Sequence, residues 1–206
     1  MSKSIIYVVD DDASVCRALG LLLKSHGFNV ETFTRAKDFL AFKHPKLLSC
    51  LISDIRLPNI NGFALQEMMA QEGIVTPVIF ITGHGDIPMS VKAMKAGAID
   101  FLSKPFTDKQ LLDAITLALS RSKVTNKKQA DIAKIRKCIN TLSPRELEVF
   151  RFVAQGMLNK QIASKRGTSL QTIKIHRSRV MQKMQAKTVT ELIDFAQQAG
   201  ITPSKH

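Results

Sequence analysis

Residues 48–62 read LSCLISDIRLPNING: a short apolar run, Leu48 to Ser53, stops at the carboxylate of Asp54 and gives way to Pro58, Asn59 and Gly62. An apolar run of that length bounded by turn residues reads as a buried strand, and the amphipathic stretch from Gly62 to Glu72 reads as the helix after it. A strand that ends in a carboxylate and hands over to a helix is one βα unit of a parallel sheet. Its acid then stands at the edge where ligands of open α/β sheets bind.

The same unit recurs on both sides. Further strands are expected at Ile5 to Val9, Phe28 to Phe33, Pro77 to Thr82 and Ile99 to Ser103. Amphipathic helices are expected near Ala13 to Ser25, Ala36 to Phe42, Ile87 to Ala96 and Thr107 to Ser120. Five such units predict a doubly wound five-stranded parallel sheet, (βα)5, with helices on both faces, because right-handed crossovers must cover both sides of a parallel sheet.

Past Ser120 the text changes. Arg121 to Thr141 is polar and Lys-rich without Gly or Pro, which predicts a linker over 123–140, helical if it continues the fifth helix, although Val124-Thr125-Asn126 weakens a helix there. Beyond it the pattern is helical throughout. Ser143-Pro144-Arg145-Glu146 is a capping box, Asn159 to Arg166 a short helix closed by Gly167, Ser169 the cap of a third helix to Gln185, and Thr188 the start of a fourth that stops at Gly200. Helix, tight turn and helix in that order is a helix-turn-helix frame. The fold expectation is α/β plus all-α: a domain over 1–122 followed by a four-helix domain over 141–206.

Charge separates the halves. Residues 1–122 carry 13 Lys and Arg against 12 Asp and Glu, whereas the remaining 84 carry 17 against 5, so nearly all of the net +13 lies in the second half. A basic helical domain seeks a polyanion, and without an aromatic-rich interfacial helix that polyanion is nucleic acid rather than membrane. No apolar run reaches the roughly 18 residues of a span and Met1-Ser2-Lys3-Ser4 leads straight into a strand, so a cytoplasmic location is expected. Cys16, Cys50 and Cys138 have neither disulfide nor zinc spacing.

At the carboxyl edge of the sheet the strands end in Asp10-Asp11-Asp12, Asp54, Thr82-Gly83 and Ser103-Lys104-Pro105. Carboxylates gathered at one mouth repel each other, and a hard divalent cation bound by oxygen alone, Mg²⁺, relieves that repulsion. With the cation present, one carboxylate can attack phosphorus while the metal, an ammonium and a hydroxyl neutralise the transferring oxygens. Asp12 is open to a second reading as the cap of the first helix. Gly83 beside Thr82 leaves room for a phosphoryl group, and His44 and His84 are expected to be neither ligands nor bases.

Four segments together resemble the CheY-like receiver family: residues 8–12 (VVDDD), 53–62 (SDIRLPNING), 81–85 (ITGHG) and 94–106 (MKAGAIDFLSKPF). The resemblance implies that Asp54 is the phosphoacceptor, and that Asp11, Asp54 and the Arg56 carbonyl bind Mg²⁺ with Asp10 acting through a bound water. Lys104 and Thr82 would then contact the phosphoryl oxygens. It also implies that Phe101 is an aromatic that turns inward, that Arg56 and His84 tune phosphoryl lifetime, and that Lys104-Pro105 is a cis bond.

In the basic half Ile173, His176, Val180 and Met184 recur at helical spacing as an inward stripe, which turns Gln171, Lys174, Ile175, Ser178 and Gln182 outward. Outward Lys, Ile and Ser suit base edges and thymine methyls in a major groove. Lys160, Lys165, Arg166, Arg177, Arg179, Lys183 and Lys187 are candidates for phosphates, and Thr172 lies beside the stripe. Val189, Leu192, Ile193 and Ala196 form one stripe of the last helix, as core or dimer face. The segments 142–146 (LSPRE), 156–163 (GMLNKQIA) and 172–177 (TIKIHR), with 83–89 (GHGDIPM) earlier, resemble the LuxR-type output domain of FixJ/NarL response regulators. That resemblance implies base contacts from Lys174, Ile175 and Ser178. It further implies a sensor histidine kinase as phosphodonor, promoter DNA and RNA polymerase as partners, a homodimer when phosphorylated, no membrane, and no catalysis beyond the chain's own phosphorylation and dephosphorylation. Two rivals stand beside it: an aspartyl-phosphate phosphatase, which would need Asp-x-Asp after the first strand, and a DNA-coating protein indifferent to phosphate.

Overall fold

Five parallel strands organise the first half of the chain in the order β2-β1-β3-β4-β5: β1 (Ser4–Val9), β2 (Asn29–Phe33), β3 (Leu48–Asp54), β4 (Val78–Thr82) and β5 (Asp100–Ser103). The computed structural model describes residues 4–83 and 87–201, so His84, Gly85 and Asp86 of the 83–89 segment lie outside the described residues. Between the strands run α1 (Ala13–Ser25), α2 (Ala36–Ala41), α3 (Gly62–Gln71) and α4 (Ile87–Lys95), and α5 (Asp108–Ile139) follows β5.

The inner strands β1, β3 and β4 are apolar on both faces because both are covered, whereas the edge strand β2 exposes Asn29, Glu31 and Thr32. Cys16, Leu19 and Leu23 of α1 share one core with Leu111, Ala114, Ile115 and Ala118 of α5, whereas Phe39, Leu65, Met69 and Ala93 of α2, α3 and α4 fill the other. Helix starts are fixed locally: the Asp12 carboxylate accepts from Ser14 N at 2.7 Å and the Asn61 side chain from Ala64 N at 2.8 Å. His44 belongs to an aromatic cluster with Tyr7, Phe39 and Phe42, and burial lowers its pKa. All three cysteines are free.

The chain divides into two compact units after Asn126, inside α5. The weak helix formers at 124–126 do not stop that helix, because their polar groups find partners. Thr125 Oγ1 donates back to Arg121 O, Asn126 Nδ2 donates to Leu47 O at 3.0 Å, and Ser122 Oγ accepts from Ser49 N at 3.0 Å. Residues 122–126, expected in or at the edge of a linker, are thereby tied to β3. The last turns of α5 serve the second unit, where Ile135 is buried with Val149, Phe150 and Ile173.

That unit comprises α6 (Pro144–Ala154), α7 (Asn159–Arg166), α8 (Leu170–Met184) and α9 (Val189–Gln198). Ser143 and Glu146 close the capping box of α6, and Gly167, at φ +58°, takes the left-handed turn between α7 and α8. In α9 Leu192 and Ala196 are buried, but Val189, expected on the same stripe, is 37% exposed in the first turn. Leu158 stands at the N-cap of α7 with no side-chain cap bond and is 68% exposed. Leu158→Ser, supplying the missing acceptor at no cost in buried area, is expected to raise stability by about 1 kcal/mol, read as a higher urea midpoint at unchanged slope.

Candidate functional site

Topology alone delivers the acidic groups to one edge. β1 and β3 are neighbours, so Asp10 and Asp11 after β1 meet Asp54 at the end of β3, and one carboxylate oxygen from each lies within 4.8 Å of the others. Asp10 is 1% exposed and Asp54 9%, while Asp11 is open to solvent. The Asp54 carboxylate accepts from Ile55 N at 2.9 Å, and the Asp10 carboxylate from Asp12 N at 3.0 Å. Burial pushes the Asp54 carboxyl above the usual range, against the downward pull of Lys104.

The β4–β5 pairing brings the cation. Thr82 is opposite Ser103, Lys104 N donates to Thr82 O at 2.7 Å, and the Lys104–Pro105 bond is cis. Lys104 Nζ donates to Asp10 Oδ2 at 2.7 Å. Here, then, the lysine neutralises the most buried carboxylate. Thr82 is fully buried at the same edge, and Phe101, one strand position from Leu102, is half-buried against the α2–α3–α4 core. Arg56 points its side chain to solvent.

Three carboxylates and a single ammonium leave net negative charge, and an all-oxygen donor set suits a hard divalent ion. The residues present therefore fit Mg²⁺ better than a soft or nitrogen-seeking metal.

One contributor lacked a local sequence signal. A Cβ on Gly62 would lie 2.8 Å from Asp54 O, 2.9 Å from Phe80 Cε1 and 3.1 Å from Ile55 Cα, so only glycine lets α3 start this close behind the acidic edge. Gly62 N donates to Ile55 O at 2.9 Å, tying the helix start to the residue after Asp54. By contrast a Cβ on Gly83 would meet nothing within 4 Å.

In the second unit the expected stripe is outward: Gln171, Lys174, Ile175, Ser178 and Gln182 of α8 are exposed, with Ile173, Val180 and Met184 buried behind them. His176 is half-buried among the inward residues, with Nδ1 enclosed. Of the flanking candidates, Lys160, Arg179 and Lys187 are exposed, and Thr172 is partly engaged with the cap Ser169 through a 2.8 Å hydroxyl contact.

Three of the candidate phosphate-binding cations have partners within the protein. Lys183 donates to Glu146 Oε2 at 2.6 Å and to Thr141 O at 3.1 Å, Arg166 pairs with Glu148 at 2.8 Å, and Arg177 donates to Asn159 Oδ1 at 2.6 Å. At about 100° per residue, positions 177 and 183 stand more than about 90° from the centre of the 171–174–175–178 stripe, so both turn toward neighbouring helices. Lys183 and Ser143 N hold the Glu146 carboxyl down at about 2. A carboxyl depressed in the folded state stabilises the fold above its unfolded pKa and loses that contribution as pH falls from the usual 4.5 toward about 2. Lys183→Met should therefore cost about 1–2 kcal/mol at neutral pH, modest because the ammonium is more than a third exposed, and the gap to wild type should narrow as pH falls below about 4 and close only as it passes through about 2. Thermal melts at pH 7 and pH 2.5 check this.

The matches with known proteins decide the family. A model of the response regulator receiver domain matches residues 6–116, and one of the bacterial regulatory proteins of the luxR family matches residues 140–196. The chain is a LuxR-type response regulator. Nodulation protein W of Bradyrhizobium diazoefficiens is 45% identical over 98% of this chain and 88% of that protein, and the transcriptional regulatory protein FixJ of the same organism is 40% identical over 97% and 98%. Among solved structures, the response regulator StyR, at 40% identity, covers 96% of this chain and 100% of its own with a TM-score of 0.75. Full-length FixJ from B. japonicum covers 98% and 99% with a TM-score of 0.56. As a FixJ-like response regulator, the chain couples phosphorylation of its receiver to transcription through a DNA-binding domain, and its family implies a kinase partner. No helix among the described residues is long and apolar enough to cross a membrane.

Proposed function

We propose that Asp54 accepts a phosphoryl group from a sensor histidine kinase, and that phosphorylation pairs two chains on promoter DNA to activate transcription together with RNA polymerase in the cytoplasm. The observation that carries the reading is the gathering of Asp10, Asp11, Asp54 and Lys104 at one sheet edge. Asp11, Asp54 and the Arg56 carbonyl would hold Mg²⁺, with Asp10 acting through a water, and the ion would supply charge neutralisation of the phosphoryl oxygens. The Asp54 carboxylate attacks phosphorus, Lys104 leaves Asp10 for a phosphoryl oxygen, and the Thr82 hydroxyl bonds another. The space opened by Thr82 admits the half-buried Phe101 ring.

Pairing is supported by α4, where Ile87, Val91 and Met94 are 79%, 46% and 50% exposed, an apolar face beside β5. Two output domains then engage two half-sites, a gain by effective concentration. Lys160, Lys174 and Arg179 reach DNA, with Gln171, Thr172, Ile175 and Ser178 lining the recognition surface. The receiver extends to about residue 122 and the output domain begins near 141. Turnover is confined to the chain's own phosphoryl group: Asp10 and Asp12 after β1 have the Asp-x-Asp spacing of a phosphatase, but Asp10 is paired with Lys104 and Asp12 caps α1, which leaves Asp54 as the acceptor.

Operator binding is measured with and without a small phosphodonor plus Mg²⁺, alongside chain mass and oligomeric state. Phosphorylation at Asp54, a dimer shift and at least tenfold tighter operator binding are expected. Equal affinity and no dimer would overturn the switch.

A further inference from the structure

Next to the acidic edge lies a cleft of about 550 Å³ between the β2–α2 and β3–α3 loops, and Asp11 forms one end of it. Asp11 belongs to both: it lines the cleft, and one of its carboxylate oxygens lies within 4.8 Å of one on Asp54, so the cleft adjoins the acidic edge through that residue. The cleft is far larger than that group needs.

Its walls differ in chemistry. Leu57, Pro58 and Ile60 present an apolar side. Of the cations that also line it, Arg35 is already neutralised by Asp38 at 2.7 Å, whereas Lys37 is exposed and makes no ion pair with the described residues. A spare cation and a short apolar surface lining one cleft beside the acidic edge fit a molecule with an anionic head and an aliphatic tail.

Resting on Asp54 as acceptor, we propose that this cleft receives the leaving half of small acyl-phosphate donors, with Lys37 meeting the departing carboxylate and Leu57, Pro58 and Ile60 contacting the acyl chain. The step balances without a redox partner or a proton: an Asp54 oxygen forms the new P–O bond, the bond from phosphorus to the acyl oxygen breaks, and its electron pair leaves on the carboxylate. Donors with a chain longer than acetyl gain buried CH₂ groups, so butyryl phosphate outperforms acetyl phosphate.

The test uses the full chain with Mg²⁺ and three donors: acetyl phosphate, butyryl phosphate and phosphoramidate, whose leaving group is carbon-free ammonia. Intact mass follows the initial rate at Asp54. The wild type should half-saturate at about fivefold lower butyryl than acetyl phosphate, given partial burial of two CH₂ groups. Lys37→Ala should raise both values about threefold, the scale of an exposed ion pair, with phosphoramidate unaffected. Ile60→Ser should bring the butyryl-to-acetyl ratio toward one, its phosphoramidate rate reporting that the receiver is folded. Equal use of the two acyl phosphates by the wild type, or slowing of all three donors alike by Lys37→Ala, overturns the cleft. If none of the three modifies Asp54, the acceptor assignment falls first and the cleft with it.

Discussion

Lys104→Ala should slow phosphorylation of Asp54 by about 100-fold or more at saturating donor while tightening Mg²⁺ binding. The two effects have opposite signs because the lysine has two employments. In the resting chain its ammonium is 2.7 Å from Asp10 Oδ2 and offsets the charge of a carboxylate that is 1% exposed. Without it, Asp10 and Asp54 are left with a larger uncompensated negative charge, which draws a cation more strongly. In the transfer step the same ammonium is a fixed positive group at that edge, and loss of one preorganised donor typically costs 10²–10³ in rate. Stopped-flow phosphorylation with phosphoramidate gives the rate, and a Mg²⁺ titration followed by heteronuclear NMR gives the affinity. A rate within tenfold of wild type, or weaker Mg²⁺ binding, would remove Lys104 from the mechanism.

Gly62→Val should be the most damaging single substitution near the site that alters no charge, costing about 3 kcal/mol. Its first added carbon already stands 2.8 Å from Asp54 O and 2.9 Å from a ring carbon of the fully buried Phe80, neither of which can withdraw. The helix must retreat or β3 must bend, and either movement displaces the acceptor carboxylate. Gly83→Ala is the control, since its Cβ meets nothing within 4 Å, and it should stay within about 0.5 kcal/mol of wild type. Urea unfolding of the two variants separates them.

The elements of the first half were legible because the inner strands are closed apolar runs and α1 and α3 carry their own caps. Asp12 and Asn61 announce α1 and α3 within three residues of the groups they bond. What escaped the sequence was settled by partners distant along the chain. The continuation of α5, which the sequence left open beside a loose linker, depends on Ser122 and Asn126 meeting β3 and the residue before it, 73 and 79 positions away. Lys183 resembles any outward lysine until the fold brings Glu146, 37 positions earlier, into reach. The acidic edge was readable as a set because strand order in a parallel sheet converts separate strand ends into one place. The cleft beside it was not, since Lys37 and Ile60 become neighbours only across two loops.

Between Asn126, tied to Leu47, and the buried Ile135 no residue of α5 is fully buried, so about 12 Å of helix is held by little beyond its own main-chain hydrogen bonds. Its amides should exchange with deuterium ahead of those on either side. Trypsin should nick first at Lys127, Lys128 or Lys134, releasing two fragments that each keep their fold.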